Sequence, residues 1–236
     1  MARVIDIDDA LLKRKHENFW LDLDDVSAGG GLSGRDQIVF TENRRWVGKL
    51  DFRAMPIDAV RNAIGVGDQV RGRANKLRIS VQNEGTLQFV GNSNDFHRSL
   101  GVSEADIARG FIEFSDGTRF SDGSGFSLPD HDDPVFVYDT PAGASTALLD
   151  GYIGRNLSPV AGFSVNDFYY RVESNEDGSI VFNPPLREAV LANSLANISA
   201  PKMQVRLASK EDWRPFVEYA LYGREMSVNV VEAFDR

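Results

Sequence analysis

"SAGGGLSGRDQIV" (Ser27–Val39) decides the fold class. Gly29, Gly31 and Gly34 spell G-x-G-x-x-G, and Gly29 and Gly34 also stand at P-loop spacing, with Arg35 and Asp36 where Lys and Ser or Thr would come next. A phosphate loop must open a helix, so that free backbone N–H groups and the positive helix end face the anion. Here the glycines lead into "QIVFTEN", in which Ile38 and Phe40 alternate with Val39 and Thr41. That is strand periodicity, with no apolar i, i+3, i+4 spacing. The preceding "NFWLDLDD" sets Phe19, Leu21 and Leu23 against Trp20, Asp22 and Asp24. Asp24 and Asp25 beside the glycines are poor neighbours for a phosphate. The stretch predicts a glycine-rich turn between two strands, where positive φ is tolerated, and not a nucleotide site.

Period two continues along the chain. "KLRISVQ" places Leu77, Ile79 and Val81 on one side, "DFYYRVE" Phe168, Tyr170 and Val172, "KMQVRLA" Met203, Val205 and Leu207, and "EMSVNVVEAF" Met226, Val228 and Val230. Each reads as a half-buried antiparallel strand, so the protein is expected to be mainly β. Two segments differ. "MPIDAVRNAIG" has Pro56 at a helix start, Ile57, Val60 and Ile64 as an apolar stripe, and Gly65 as a stop. "GVSEADIARG" has Ser103 and Asp106 at capping-box spacing and closes at Gly110.

"SLPDHDDPVF" (Ser127–Phe136) reads as a stiff polar connector and marks a boundary. The expected organisation is a first domain of residues 1–133, to which 208–236 return, with 134–207 inserted as a small β domain. The strand at Met226–Val231 needs an existing sheet to bury its apolar side, which motivates the return.

With 236 residues the chain can bury a sizeable core as one large or two small domains. A net charge of −9 argues against general nucleic-acid binding, because little would neutralise phosphates. Cysteine is absent, which excludes disulfides and thiolate metal sites. No apolar run approaches the roughly 18 residues of a membrane span. Met1 to Phe19 lacks the apolar centre of a signal peptide and changes from acidic to basic, as a solvated arm does.

Chemistry-bearing residues are sparse. His16, His97 and His131 stand far apart, without zinc spacing. "DHDD" (Asp130–Asp133) has ligand types for a hard cation but not the spacing or glycine of a calcium loop. "FSDGTRFSDGSGFS" (Phe114–Ser127) repeats S-D-G and reads as two turns, with Asp116 and Asp122 as a weaker calcium alternative. Arg71, Arg73, Lys76 and Arg78 form the most basic stretch and read as charges on a strand edge. Neither G-x-S-x-G nor H-E-x-x-H occurs, and the 35 acids make any carboxylate pair uninformative. No catalytic, cofactor-binding or metal-binding residue is assigned, and no enzymatic activity is expected.

The segment "GFSVNDFYYRVESNEDGSIVFNPPLREAVLANSLANISAPKMQVRLAS" resembles distal tail proteins, and related minor tail proteins, of long-tailed bacteriophages. The matching features are Tyr170–Val172, the acidic-glycine turn Asp177–Gly178, Pro184–Arg187 and Pro201–Leu207. "LSGRDQIVFTENRRWVGKLDF", with Trp46 on its second strand, resembles the family's opening hairpin, and "FSDGTRFSDGSGF" and "VEAF" are also similar. "NSNDFHRSLGVSEADIARG" departs from the pattern and reads as an elaboration.

The resemblance implies a tail-tube-like β-sandwich or split barrel with a flanking helix, plus a second small β-barrel or sandwich. It implies a structural virion protein at the tail tip, made in the host cytoplasm. Its partners would be itself in a ring, usually a hexamer, the tail tube protein, and the tail hub or other tail-tip proteins. DNA would pass through without specific binding, favoured by an acidic lumen. No membrane insertion is implied. The rival reading is a carbohydrate-binding β-sandwich for host attachment, with Tyr152, Tyr169, Tyr170 or Trp213 as a stacking platform.

Overall fold

In a computed structural model the described residues are 3–7, 12–22, 26–30, 36–39, 44–81, 97–98, 100–114, 117–128, 133–209, 213, 217–218 and 222–234. The first elements in chain order are β1 (Val4–Asp6), β2 (Arg14–Asp22), β3 (Val26–Gly30), β4 (Asp36–Val39), β5 (Arg45–Phe52), β6 (Met55–Pro56), α1 (Ile57–Val70) and β7 (Lys76–Ser80). Next come α2 (Glu104–Arg109), β8 (Phe111–Ile112), β9 (Phe126–Ser127), β10 (Thr146–Leu148), α3 (Tyr152–Arg155), β11 (Gly162–Val165), β12 (Phe168–Glu176) and β13 (Ser179–Asn183). The chain closes with β14 (Lys202–Leu207), β15 (Val217–Glu218), β16 (Tyr222–Gly223) and β17 (Met226–Glu232). The protein is mainly β, as its dominant period requires.

Two compact units divide the chain: residues 1–82, 166–169 and 202–236 form the first, and 83–165 and 170–201 the second. These limits differ from the expected 1–133 and 134–207. The strand Lys202–Leu207 belongs to the first unit, because β14 lies antiparallel between β7 and β17. Its apolar residues Met203, Val205 and Leu207 are buried in that core. At the other boundary, α2 and the S-D-G turns go with the second unit.

The first unit is built on a six-stranded sheet in the order β1-β7-β14-β17-β5-β2. Every neighbouring pair is antiparallel except β1 with β7. β17 pairs with both β5 and β14, which buries Met226, Val228 and Val230. The sheet curls: Arg14, on edge strand β2, donates to the backbone oxygen of Ser80 in β7, which lies next to the opposite edge. Trp46, Leu50, Phe52, Leu77 and Ile79 line the core face. β6, β15 and β16 form a separate three-stranded sheet.

Helix α1 closes this core and runs longer than its sequence predicts. It passes through Gly65 and ends only at Arg71, which is left-handed at φ 49°. The buried face is Ala59, Val60, Ala63, Val66 and Val70, while Ile64 is 41% exposed. The expected Ile57–Val60–Ile64 stripe therefore holds only at Val60. Trp213 packs on the buried face: its indole N–H donates to the Ala63 carbonyl at 2.7 Å and its ring meets Phe52 edge-on. A Cβ on Gly67 would lie 2.6 Å from Trp213 Cδ1, whereas one on Gly65 would meet nothing within 4 Å. The two glycines thus predict opposite effects. Gly65→Ala should stabilise by about 0.5–1 kcal/mol through helix propensity. Gly67→Ala should destabilise by about 1–3 kcal/mol, since the ring must move out of a filled site. Denaturant midpoints of the two variants measure this, and a shift in the same direction would contradict it.

The second unit contains the sheet β10-β13-β12-β11. Two-residue turns join its strands: Asp177 and Gly178 (φ 49° and 92°) between β12 and β13, and, counted with the first unit, Asn166 and Asp167 (φ 52° and 64°) between β11 and β12. Positive φ at both central residues is the hairpin turn whose twist matches the strands. Irregular segments complete a circuit. Residues 134–140 bond β10 through Val137 N to Leu148 O, and bond residues 190–196 through Phe136 N to Ser194 O. Asn197 in turn exchanges bonds with Ser164 of β11. The result is a small closed barrel, which leaves no long edge to aggregate. Its interior holds Phe136, Phe163, Tyr170 and Phe182, with neighbouring ring centroids 5.4–6.4 Å apart.

Helix α2 has the cap that its sequence specifies. Ser103 Oγ accepts from Asp106 N, and Gly110 takes the left-handed end at φ 81°. The two S-D-G segments carry matching backbone bonds at their glycines, with Ser115 and Asp116 outside the described residues. Gly117 N donates to Phe114 O and Gly123 N to Phe120 O, both at 2.8 Å. They bring Phe114, Phe120 and Phe126 into mutual edge-to-face contact.

Candidate functional site

The two ends of the glycine-rich stretch are paired strands. β3 and β4 are antiparallel, pairing Val26 with Val39, Ser27 with Ile38 and Gly30 with Asp36. Gly29 and Gly30 are strand residues, and the next described element is strand β4, not a helix. Among the described residues, then, no helix N-terminus follows these glycines to hold a pyrophosphate. Gly31 and Gly34 lie outside the described residues. β2 and β5 pair up to Asp22 with Arg45. β3 and β4 form a two-stranded sheet of their own.

The face of the six-stranded sheet opposite the core is ordered in rows, two of them polar and one apolar. Cross-strand register aligns His16–Asp51–Ser227, then Asn18–Lys49–Asn229, then Trp20–Val47–Val231. The first row has the residue types of a hydrolase triad but not its order. The Ser227 hydroxyl donates directly to Asp51, and Asp51 sits between Ser227 and His16. A serine nucleophile needs a base to take its proton, with the acid orienting that base. This row stabilises a carboxylate instead. The Ser227 hydroxyl above all, then Lys49 at 3.2 Å and His16, hold Asp51 below the usual carboxylate range.

Because the folded value is depressed, the stabilisation it brings is present above the unfolded pKa of about 3.9. It is lost as pH falls through the folded pKa. Ser227→Ala should move the Asp51 titration, tracked by carboxyl NMR, up towards the ordinary range. An unchanged titration would contradict the assignment.

The other candidates have structural roles where they are described. The Asp122 carboxylate accepts from Ser124 N and Ser124 Oγ, which lowers its pKa. Asp133 accepts from Ile198 N, Ser199 N and Ser199 Oγ, tying the start of the barrel to its last segment. Asp116, Asp130, His131 and Asp132 lie outside the described residues. His16 is exposed and His97 is buried. No group of three or more metal-ligating side chains occurs among the described residues.

In the basic stretch, Arg71 ends α1, Lys76 is buried and Arg78 pairs with Asp6 at 3.3 Å and Asp167 at 3.0 Å. Three of the four aromatics proposed for a sugar platform are core residues: Tyr169, Tyr170 and Trp213 are at most 7% exposed. Tyr169 accepts the Trp46 indole N–H at its carbonyl, and the Tyr170 hydroxyl accepts from Arg187 N. Tyr169, Tyr170 and Trp213 are therefore buried away from any stacking surface, and of the four only Tyr152, which opens α3, is exposed.

No helix of the described residues is long and apolar enough to cross a membrane. No protein-family model matches the chain, and no curated protein matches it either.

Proposed function

We propose that this chain is a structural protein of the tail tip of a long-tailed bacteriophage. It would assemble with copies of itself into a ring, expected to be a hexamer, between the tail tube and the hub or host-recognition apparatus. DNA would pass through that ring without being bound. The reading rests on the sequence resemblance, and one structural observation supports it. β3 and β4, which stand between β2 and β5 in sequence, pair with each other and with none of the other described strands. An isolated two-stranded hairpin is marginal in water and gains stability when a neighbouring surface covers it. A ring supplies such a neighbour to every copy, because closed cyclic symmetry repeats one contact around the axis. The proposal needs no catalytic group, cofactor or metal. Electron microscopy of the purified protein at high concentration, or assembled on isolated tubes, tests it. Closed rings are the expected result, and a protein that stays monomeric under both conditions would argue against ring assembly.

A further inference from the structure

We draw no further inference here: the strongest candidate, the exposed apolar patch of Tyr138, Leu191 and Leu195 on neighbouring segments of the second unit, carries nothing because nothing in the structure shows what covers it.

Discussion

Gly48→Ala is expected to lower the unfolding free energy by about 3 kcal/mol, the upper end for overpacking a filled core. Gly48 is on β5 directly opposite Phe19 of β2, and the Phe19 ring lies across the space above it. A Cβ there would stand 2.2 Å from Phe19 Cδ1 and 2.4 Å from Cε1. The ring is 8% exposed and belongs to the main core, so it cannot turn aside cheaply. An aromatic ring covering a strand glycine is how a sheet recovers the packing that the missing side chain forfeits. The cause can be isolated. Phe19→Ala alone should cost roughly 3–5 kcal/mol as a large-to-small core change. In that background Gly48→Ala should cost much less, since the ring makes the two shortest contacts and only the tighter approach to the Asn18 carbonyl oxygen, at 3.1 Å, remains. Equal costs in both backgrounds would mean that the ring is not the obstacle.

Arg14→Ala should be of similar size for an electrostatic reason. The Arg14 and Glu17 side chains are each 5% exposed and meet at 2.5 Å. The same guanidinium reaches the carbonyl and the hydroxyl of Ser80, so it fastens edge strand β2 to β7 across the curl of the sheet. Removing the arginine strips Glu17 of its buried counter-charge, a loss of roughly 3–5 kcal/mol for pairs of this kind. Replacing both partners with apolar residues, Arg14→Met with Glu17→Leu, should recover much of that loss because no buried charge remains. Urea denaturation of the single and double variants reads both numbers. A single variant within about 0.5 kcal/mol of the parent would show that the pair behaves as a surface contact.

The strands were legible because alternation reports one buried face wherever the other meets water. Leu77, Ile79, Met203, Val205, Val228 and Val230 are all buried, as their spacing requires. The partner of a strand is not written in its own period. Lys202–Leu207 has the same pattern whichever sheet receives it, and it joins the first unit's sheet where the neighbouring sequence suggested the second.

Helix α1 shows the opposite failure. Gly65 carries the local signal for a stop, yet the helix runs on to Val70, with Val66 and Val70 buried and Trp213, 150 residues from Ala63 along the chain, seated against Gly67. The aromatic candidates misled for a related reason. A tyrosine or tryptophan at strand spacing reads the same whether it faces solvent or core. Tyr169 and Tyr170 are consecutive and both buried, Tyr169 in the core of the first unit and Tyr170 among the barrel rings of the second.

Barrel closure by residues 190–197 was also hidden, since "VLANSLAN" has no period of two. Its contribution is a few backbone bonds at Val190, Leu195 and Asn197. At the candidate site, the strand pairing within Ser27–Val39 was readable from the strand-like alternation of Ile38 to Thr41 just after the glycines. The Ser227–Asp51 contact was not, because it depends on register between strands far apart in sequence.

The claim that this chain forms a ring at the tail tip is tested most directly by counting its copies per virion. Quantitative mass spectrometry, normalised to a tail protein of known stoichiometry, gives that number. Six copies in each particle are expected, in keeping with one closed cyclic ring. A single copy per virion, or none, would contradict it.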